Sequence, residues 1–254
     1  MTTPPAELVD RLRQGRRFVV ASHQRPDGDA IGSAMAMALA LGELGKEATV
    51  VTDAIPPVFL QPFPRVDTIR VTPAIAESFD AALIMECSEL GRTGVRGLDR
   101  SPVMNIDHHP GNTGYGAVNW IDESAAACGQ MAFLLIEALG APLTPEIATH
   151  VYLAILTDTG SFHFSHLTPQ TYDIARRCVE AGADPRWIAR THYDSNSLAR
   201  VRIFGAVMNA MVIAGDGRVA LLSITRQTMA ELGGTSDDLE GLINFPLTVK
   251  DIEA

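Results

Sequence analysis

Short apolar runs alternate with longer segments of helical periodicity along most of the chain. RFVVAS at 17–22 reads as a buried strand. AIGSAMAMALALGELG at 30–45 reads as a helix, with Ala30, Ala34, Ala38 and Ile31, Met35, Leu39 at four-residue spacing and Gly45 as a stop. ATVVT at 48–52, DAALIME at 80–86, PVMNI at 102–106 and AVNWI at 117–121 read as further strands. The segment IPPVFLQPFP at 55–64 is too rich in proline for either element. Helices are expected over about 125–139, 145–157 and 169–182. This alternation predicts an α/β fold, a parallel sheet with helices on both faces. Ligand groups in such sheets collect just past the carboxyl ends of the strands. Polar clusters stand at those places here: His23 onward after the first strand, Glu86 at the end of the third and Asp107 after the fourth.

Beyond residue 184 the pattern changes. Residues 185–207 read as a helical connector, and 208–213 with 218–224 as a hairpin around AGDG that begins a second, smaller α/β unit. The expected organisation is therefore 1–184, 185–207 and 208–254, the last too short for an independent domain and so an incomplete one.

Hydrophobic residues make up 46% and charged residues 20%, which suits a globular chain and excludes a mainly disordered one. No apolar run approaches the roughly 18 residues of a membrane span. The N-terminal MTTPPAELVDRLRQGRR has no apolar core of the kind a signal peptide needs. Cys87, Cys128 and Cys178 form neither a disulfide framework nor a CxxC site. A cytoplasmic protein is the expectation. Thirty acids against 20 bases leave a net charge of −10, which argues against long duplex nucleic acid as a partner. A small phosphate ester remains accessible if cations sit within an acidic cluster.

Such a cluster can be assembled from four places. His23-x3-Asp27-x-Asp29 combines an imidazole and two carboxylates in a glycine-containing turn. The plainer reading is an Asp-Gly turn with a helix cap. Asp107-His108-His109, followed by Pro-Gly, is hard to explain by packing. Asp158 ends an apolar helix and reads equally as a turn residue. Glu86 ends a buried strand, where an acid needs a cation or hydrogen-bond donors unless it reaches solvent. Gathered in one pocket, five carboxylates would repel one another without counter-ions. Two divalent ions restore balance, and a hydroxide bridging them would be placed for in-line attack on phosphorus. Carboxylates mixed with imidazoles favour Mn, Fe, Co or Zn over Ca. The residues thus point to two-metal phosphoester hydrolysis. The three cysteines and His150 read as core, and Trp120 and Trp187 as packing residues.

SHQRPDGDAIGS, LIMEC, NIDHHPG and ILTDTGSF together resemble the DHH phosphoesterase superfamily, over about residues 8–250. ELGRTG and DTGSF make the chain most similar to its oligoribonuclease and pAp phosphatase branch. The resemblance implies two Mn2+ ions. His23 and Asp27 would bind one, Asp29, His108 and Asp158 the other, and Glu86 would bridge them. It implies that His109 contacts phosphate or donates a proton and that Asp107 orients the imidazoles. Arg92 and His163 are the substrate-binding candidates. Short oligoribonucleotides, cut from the 3′ end, and 3′-phosphoadenosine 5′-phosphate (pAp) are the implied substrates, and a homodimer the implied assembly. Three departures stand out. Glu86 replaces the usual Asp, His163 replaces a common Arg, and Gly233-Gly234 is followed by Thr235 rather than by the His of a C-terminal DHHA1 domain. Pyrophosphate, polyphosphate or cyclic-dinucleotide products as substrates, and a non-catalytic metal- or nucleotide-binding remnant, are the alternatives.

Overall fold

The computed structural model describes residues 2–164, 166–194, 196–239 and 241–253. It divides into two compact units, Met1–His192 and Tyr193–Ala254.

The first unit is built on six parallel strands: β1 (Arg17–Ala21), β2 (Glu47–Thr52), β3 (Arg70–Val71), β4 (Ala81–Met85), β5 (Val103–Asp107) and β6 (Val118–Ile121). Their order is β3-β2-β1-β4-β5-β6, and every neighbouring pair is parallel. The chain starts in the middle with β1, builds outward to β3, then returns to lay β4 against the other side of β1. The winding reverses between β1 and β4, and a reversal of this kind opens a crevice at the strands' carboxyl ends.

Alternating side chains of β1 serve opposite faces. Phe18 and Val20 join the large apolar cluster shared with the α-helices. Val19 and Ala21 join a smaller one. The large cluster takes residues from α1 (Ala6–Gln14), α2 (Gly28–Glu43), α3 (Cys128–Leu139), α4 (Pro145–Asp158), α5 (Pro169–Glu180) and α6 (Pro185–Tyr193). The smaller cluster is sealed by loops and by 3-10 turns at Leu90–Thr93 and Leu98–Arg100. The expected parallel α/β sheet is present, with long helices on one face and short ones on the other. Helix α1 is an addition to the sequence reading, although it buries Leu8, Val9 and Leu12 at helical spacing.

Glycines let three helices meet closely. A Cβ on Gly32 of α2 would lie 2.6 Å from the His150 carbonyl and 2.9 Å from Ala154 in α4. One on Gly129 of α3 would lie 2.2 Å from Ala154, and one on Gly28 2.5 Å from Thr157. The start of α2 is thereby pressed against the end of α4. Among the described residues no helix is long and apolar enough to cross a membrane.

The second unit contains α7 (Leu198–Asn209), the antiparallel pair β7 (Val212–Ala214) and β8 (Val219–Leu221), and α8 (Arg226–Glu231). Ile203, Val207 and Leu242 form its small core. The hairpin expected at 208–213 and 218–224 is shorter, because residues 208 and 209 complete α7.

His150 is fully buried in α4 and its Nε2–H donates to the Pro64 carbonyl at 2.7 Å. Burial pushes its imidazole down from 6.5 to about 4. Between those values the unfolded chain binds a proton that the folded one refuses, so stability falls as pH drops through this window. The loss amounts to about 3 kcal/mol at 1.36 kcal/mol per pH unit. Urea midpoints between pH 7 and 4 should therefore fall more steeply for the native chain than for His150→Leu. At pH 7 that variant should be about 1–2 kcal/mol less stable, having left the Pro64 carbonyl unpaired. Parallel pH profiles would contradict this account.

Candidate metal centre

The cluster is assembled at the carboxyl ends of β1, β4 and β5 and at the facing ends of α2, α3 and α4. His23 follows β1, and its Nδ1–H donates to the Gln24 carbonyl at 2.8 Å. Asp27 is the N-cap of α2, its side chain accepting from the Ala30 amide at 2.9 Å. Asp29, in the first turn of α2, is fully buried and accepts from the Cys128 and Gly129 amides at the start of α3, at 2.6 and 2.8 Å. This places a carboxylate on the positive end of a helix. Glu86 follows β4 in a left-handed conformation, φ +54°, and is 2% exposed. A non-glycine residue held there is strained, a condition that clusters at functional sites. Asp107 ends β5, His108 and His109 come next, and Asp158 ends α4.

Three sets of side chains present atoms within 4.8 Å of one another: His23, Asp27 and Glu86; Asp29, His108 and Asp158; and Glu86, His108 and His109. The three imidazoles share one orientation. Each holds an oxygen through Nδ1: the Gln24 carbonyl for His23, the Ala125 carbonyl at 3.2 Å for His108 and Asp107 Oδ1 at 2.9 Å for His109. An oxygen of this kind accepts, so each Nδ1 carries a proton; the Nε2 lone pairs of His23 and His108 then face the cluster, while His109, raised by Asp107, can carry a proton on Nε2 as well. His23 Nε2 then lies 2.6 Å from Glu86 Oε2. His108 Nε2 lies 3.6 Å from Asp29 Oδ2 and 3.5 Å from Asp158 Oδ2, and His109 Nε2 lies 3.3 Å from Glu86 Oε1. Lone pairs facing carboxylate oxygens repel unless a cation lies between them. Glu86 Oε2 and His108 Nε2 are buried without a hydrogen-bond partner. The donor set and its orphaned atoms therefore fit divalent ions bound by imidazole and carboxylate.

The electrostatics agree. Burial, followed by the charges of Asp158, Glu86 and Asp27, pushes the Asp29 carboxyl well up. Burial, then Asp27, does the same to Glu86, and burial raises Asp158. Asp107 differs. Burial pushes it up, but hydrogen bonds from His109 and Asn112 outweigh that and hold it below its ordinary value. The Asp107 hydrogen bond in turn raises His109.

Eight of the ten residues singled out from the sequence, all but Arg92 and His163, are thus gathered at one place. Arg92 lies in the 3-10 turn Leu90–Thr93, exposed, with its guanidinium on Ser88 Oγ at 2.9 Å. Its carbonyl accepts from the Gln24 amide at 2.7 Å, tying that turn to the His23 loop. His163 is exposed and its ring stands edge-on to Phe164 at 6.1 Å. Neither belongs to the three sets. Several contributors escaped the sequence reading. Asn112 donates to Asp107 Oδ2 at 2.6 Å and to the Cys87 carbonyl at 3.3 Å. A polar residue five positions past Asp107, in the turn after Pro-Gly, is the signal that marks it. The Cys128 and Gly129 amides and the Ala125 carbonyl have no such signal, since any residue supplies them. Cys87 is core as expected, with burial pushing its thiol up to about 11.

Residues 17–155 match the DHH family, N-terminal domain. The chain belongs to the DHH family. This DHH-family chain is 36% identical over 233 residues to the "Bifunctional oligoribonuclease and PAP phosphatase NrnA" of Thermus thermophilus, a match that covers 89% of this chain and 68% of that protein. It is 24% identical over 257 residues to the Bacillus subtilis protein of the same name, covering 98% and 79% of the two. Its fold is shared with the crystal structure of an exopolyphosphatase-related protein from Bacteroides fragilis, with a TM-score of 0.87 at 24% identity over 97% of this chain and 76% of the other.

Carboxylates crowded without a cation destabilise the fold, and the same carboxylates stabilise it once a cation binds. Glu86→Gln should therefore melt above the native chain in EDTA at pH 8 and below it in Mn2+. A ligand at a hundred times its Kd adds about 2.7 kcal/mol to the native chain. The same order of melting temperatures in both buffers would contradict the assignment.

Proposed function

We propose that this chain is a phosphoesterase that works with two divalent cations. His23 and Asp27 would hold one, Asp29, His108 and Asp158 would hold the other, and Glu86 would serve both. The observation that carries this reading is the meeting of the His23 and His108 Nε2 lone pairs with carboxylate oxygens of Glu86, Asp29 and Asp158. Mixed imidazole and carboxylate donors suit Mn2+. Bound there, the ions would lower the pKa of water and stabilise charge on a phosphoryl group.

The chain's own groups do the rest. Asp107, fixed by Asn112, holds His109 by Nδ1 and leaves Nε2 turned to the cluster. His109 is half-exposed beside the buried Glu86, placed to contact a phosphate oxygen or to give a proton to a leaving alcohol. Arg92 and His163, outside the cluster, are assigned to the more distant parts of the substrate. Short oligoribonucleotides, cut from the 3′ end, and pAp are the proposed substrates. The names of the relatives support them, and the net charge of −10 favours small esters over long polyanions. Residues 208–254 are assigned to the substrate-binding part of the protein.

Incubation with pApA and with pAp should release AMP with Mn2+ and none in EDTA. Absence of product from a chain shown to bind Mn2+, or preferential turnover of pyrophosphate, would overturn the assignment. His109→Ala should lower kcat by about 10²–10⁴ while leaving Mn2+ affinity within a few-fold. A loss of metal affinity that accounts for the loss of rate would make His109 a ligand instead. Asp107→Asn should lower kcat in the same direction and by less.

A further inference from the structure

The turn that follows Asp158 is wound into the left-handed region over three successive residues: Gly160, Ser161 and Phe162, at φ +54°, +61° and +62°. For serine and phenylalanine this conformation is unfavourable and persists only where the surroundings enforce it. Thr159 enforces it here. Thr159 is 1% exposed, and its carbonyl accepts from the amides of both His163 and Phe164 at 2.9 Å. Its hydroxyl accepts from the Phe162 amide at 3.0 Å and donates to the Ile155 carbonyl at 2.6 Å. The Ser161 amide closes the turn on the Leu156 carbonyl at 2.8 Å.

The two aromatic rings of this turn have different surroundings. Phe162 packs against the main core, stacked on Tyr172 with ring centres 5.6 Å apart and planes at 21°. Phe164 is 44% exposed. Its ring lies over Gly160, so that a Cβ there would come within 2.5 Å of ring carbons. One side of the ring is thus seated on the backbone two residues past Asp158, and the rest meets solvent. A large apolar ring fixed at the surface by this many hydrogen bonds is pre-organised for an occupant.

We propose that Phe164 is a stacking platform for the nucleobase of the substrate. The inference rests on the phosphoesterase reading for its substrate class. A nucleotide carries a phosphate and a π-face on the same ribose. The chain carries the matching pair on one short turn, the Asp158 carboxylate in the cluster and, six residues on, a half-exposed aromatic ring seated over Gly160. Stacking on one ring is tolerant of base identity, as expected of a site that takes short oligoribonucleotides of any sequence. His163 stands edge-on to the same ring, at 6.1 Å, and borders the platform.

Equilibrium dialysis of a radiolabelled pAp analogue, its 3′ phosphate replaced by a non-hydrolysable phosphonate, against the full chain with Mn2+ tests this without relying on turnover. Phe164→Ala and Phe164→Leu should each raise Kd about tenfold or more. Phe164→Trp should restore it, since leucine keeps apolar bulk and only an aromatic restores the face. The matching base-free ribose phosphonate should bind the native and variant chains within twofold of one another. Native-like binding of the pAp analogue by Phe164→Leu, an equal loss for the base-free sugar, or no binding of the analogue by the native chain would overturn the inference. Turnover of pAp is scored separately. Binding that depends on Phe164 without any hydrolysis would leave the platform standing and remove the phosphoesterase reading.

Discussion

Everything at the functional end of the first unit answers to one electrostatic constraint: buried carboxylates and imidazole lone pairs are held within a few ångströms of one another. Asp29 and Glu86 are almost wholly buried, and each is pushed well up by burial and by neighbouring acids. Charges removed from water in this way are unfavourable by several kcal/mol each unless compensated. The protein supplies part of that compensation itself, through the α3 amides on Asp29 and through Asn112 and His109 on Asp107. Glu86 Oε2 and His108 Nε2 receive none. The compensated groups fix the scaffold, and the uncompensated ones mark where the cations belong.

The fold is what makes such an arrangement possible. Reversal of the winding between β1 and β4 brings His23 and Glu86 side by side from segments more than sixty residues apart. Gly28, Gly32 and Gly129 remove the side chains that would keep α2 and α3 away from α4, so Asp29 reaches both the α3 amides and the neighbourhood of Asp158. The turn after Asp158 shows the same economy. Thr159 converts the end of a helix into a reversal that packs Phe162 against the core and leaves Phe164 half-exposed. In each case the hydrogen-bonding backbone fixes geometry and the side chains supply chemistry.

Much of this is legible in the sequence because metal-binding chemistry needs unusual residues in unusual places. A DHH triplet after an apolar strand and an acid at the end of another strand are costly anywhere else, and both lie in the cluster. The strands were readable because central parallel strands are short, continuous apolar runs. Other features left weaker traces. The left-handed backbone at Glu86, whose amide donates to the Ile106 carbonyl, is announced by no residue type. The Ala125 carbonyl and the Cys128 and Gly129 amides are backbone groups, invisible to any reading of side chains. The hairpin starts later than the apolar pattern suggests because residues 208 and 209 complete α7, and hydrophobicity alone does not separate a helix end from a strand start. His163, a candidate through the family resemblance, stands at the surface beside Phe164, its amide held by the Thr159 carbonyl.

On the proposed reading, one cluster takes two divalent cations with Glu86 common to both. Titration of the metal-free chain with Mn2+, followed by electron paramagnetic resonance, reads both the number of ions and their coupling. Two ions should bind per chain, and the bound signal should be that of a spin-coupled pair, with the coupling weakened in Glu86→Gln. One ion per chain, or two ions whose spectra are independent, would contradict that reading.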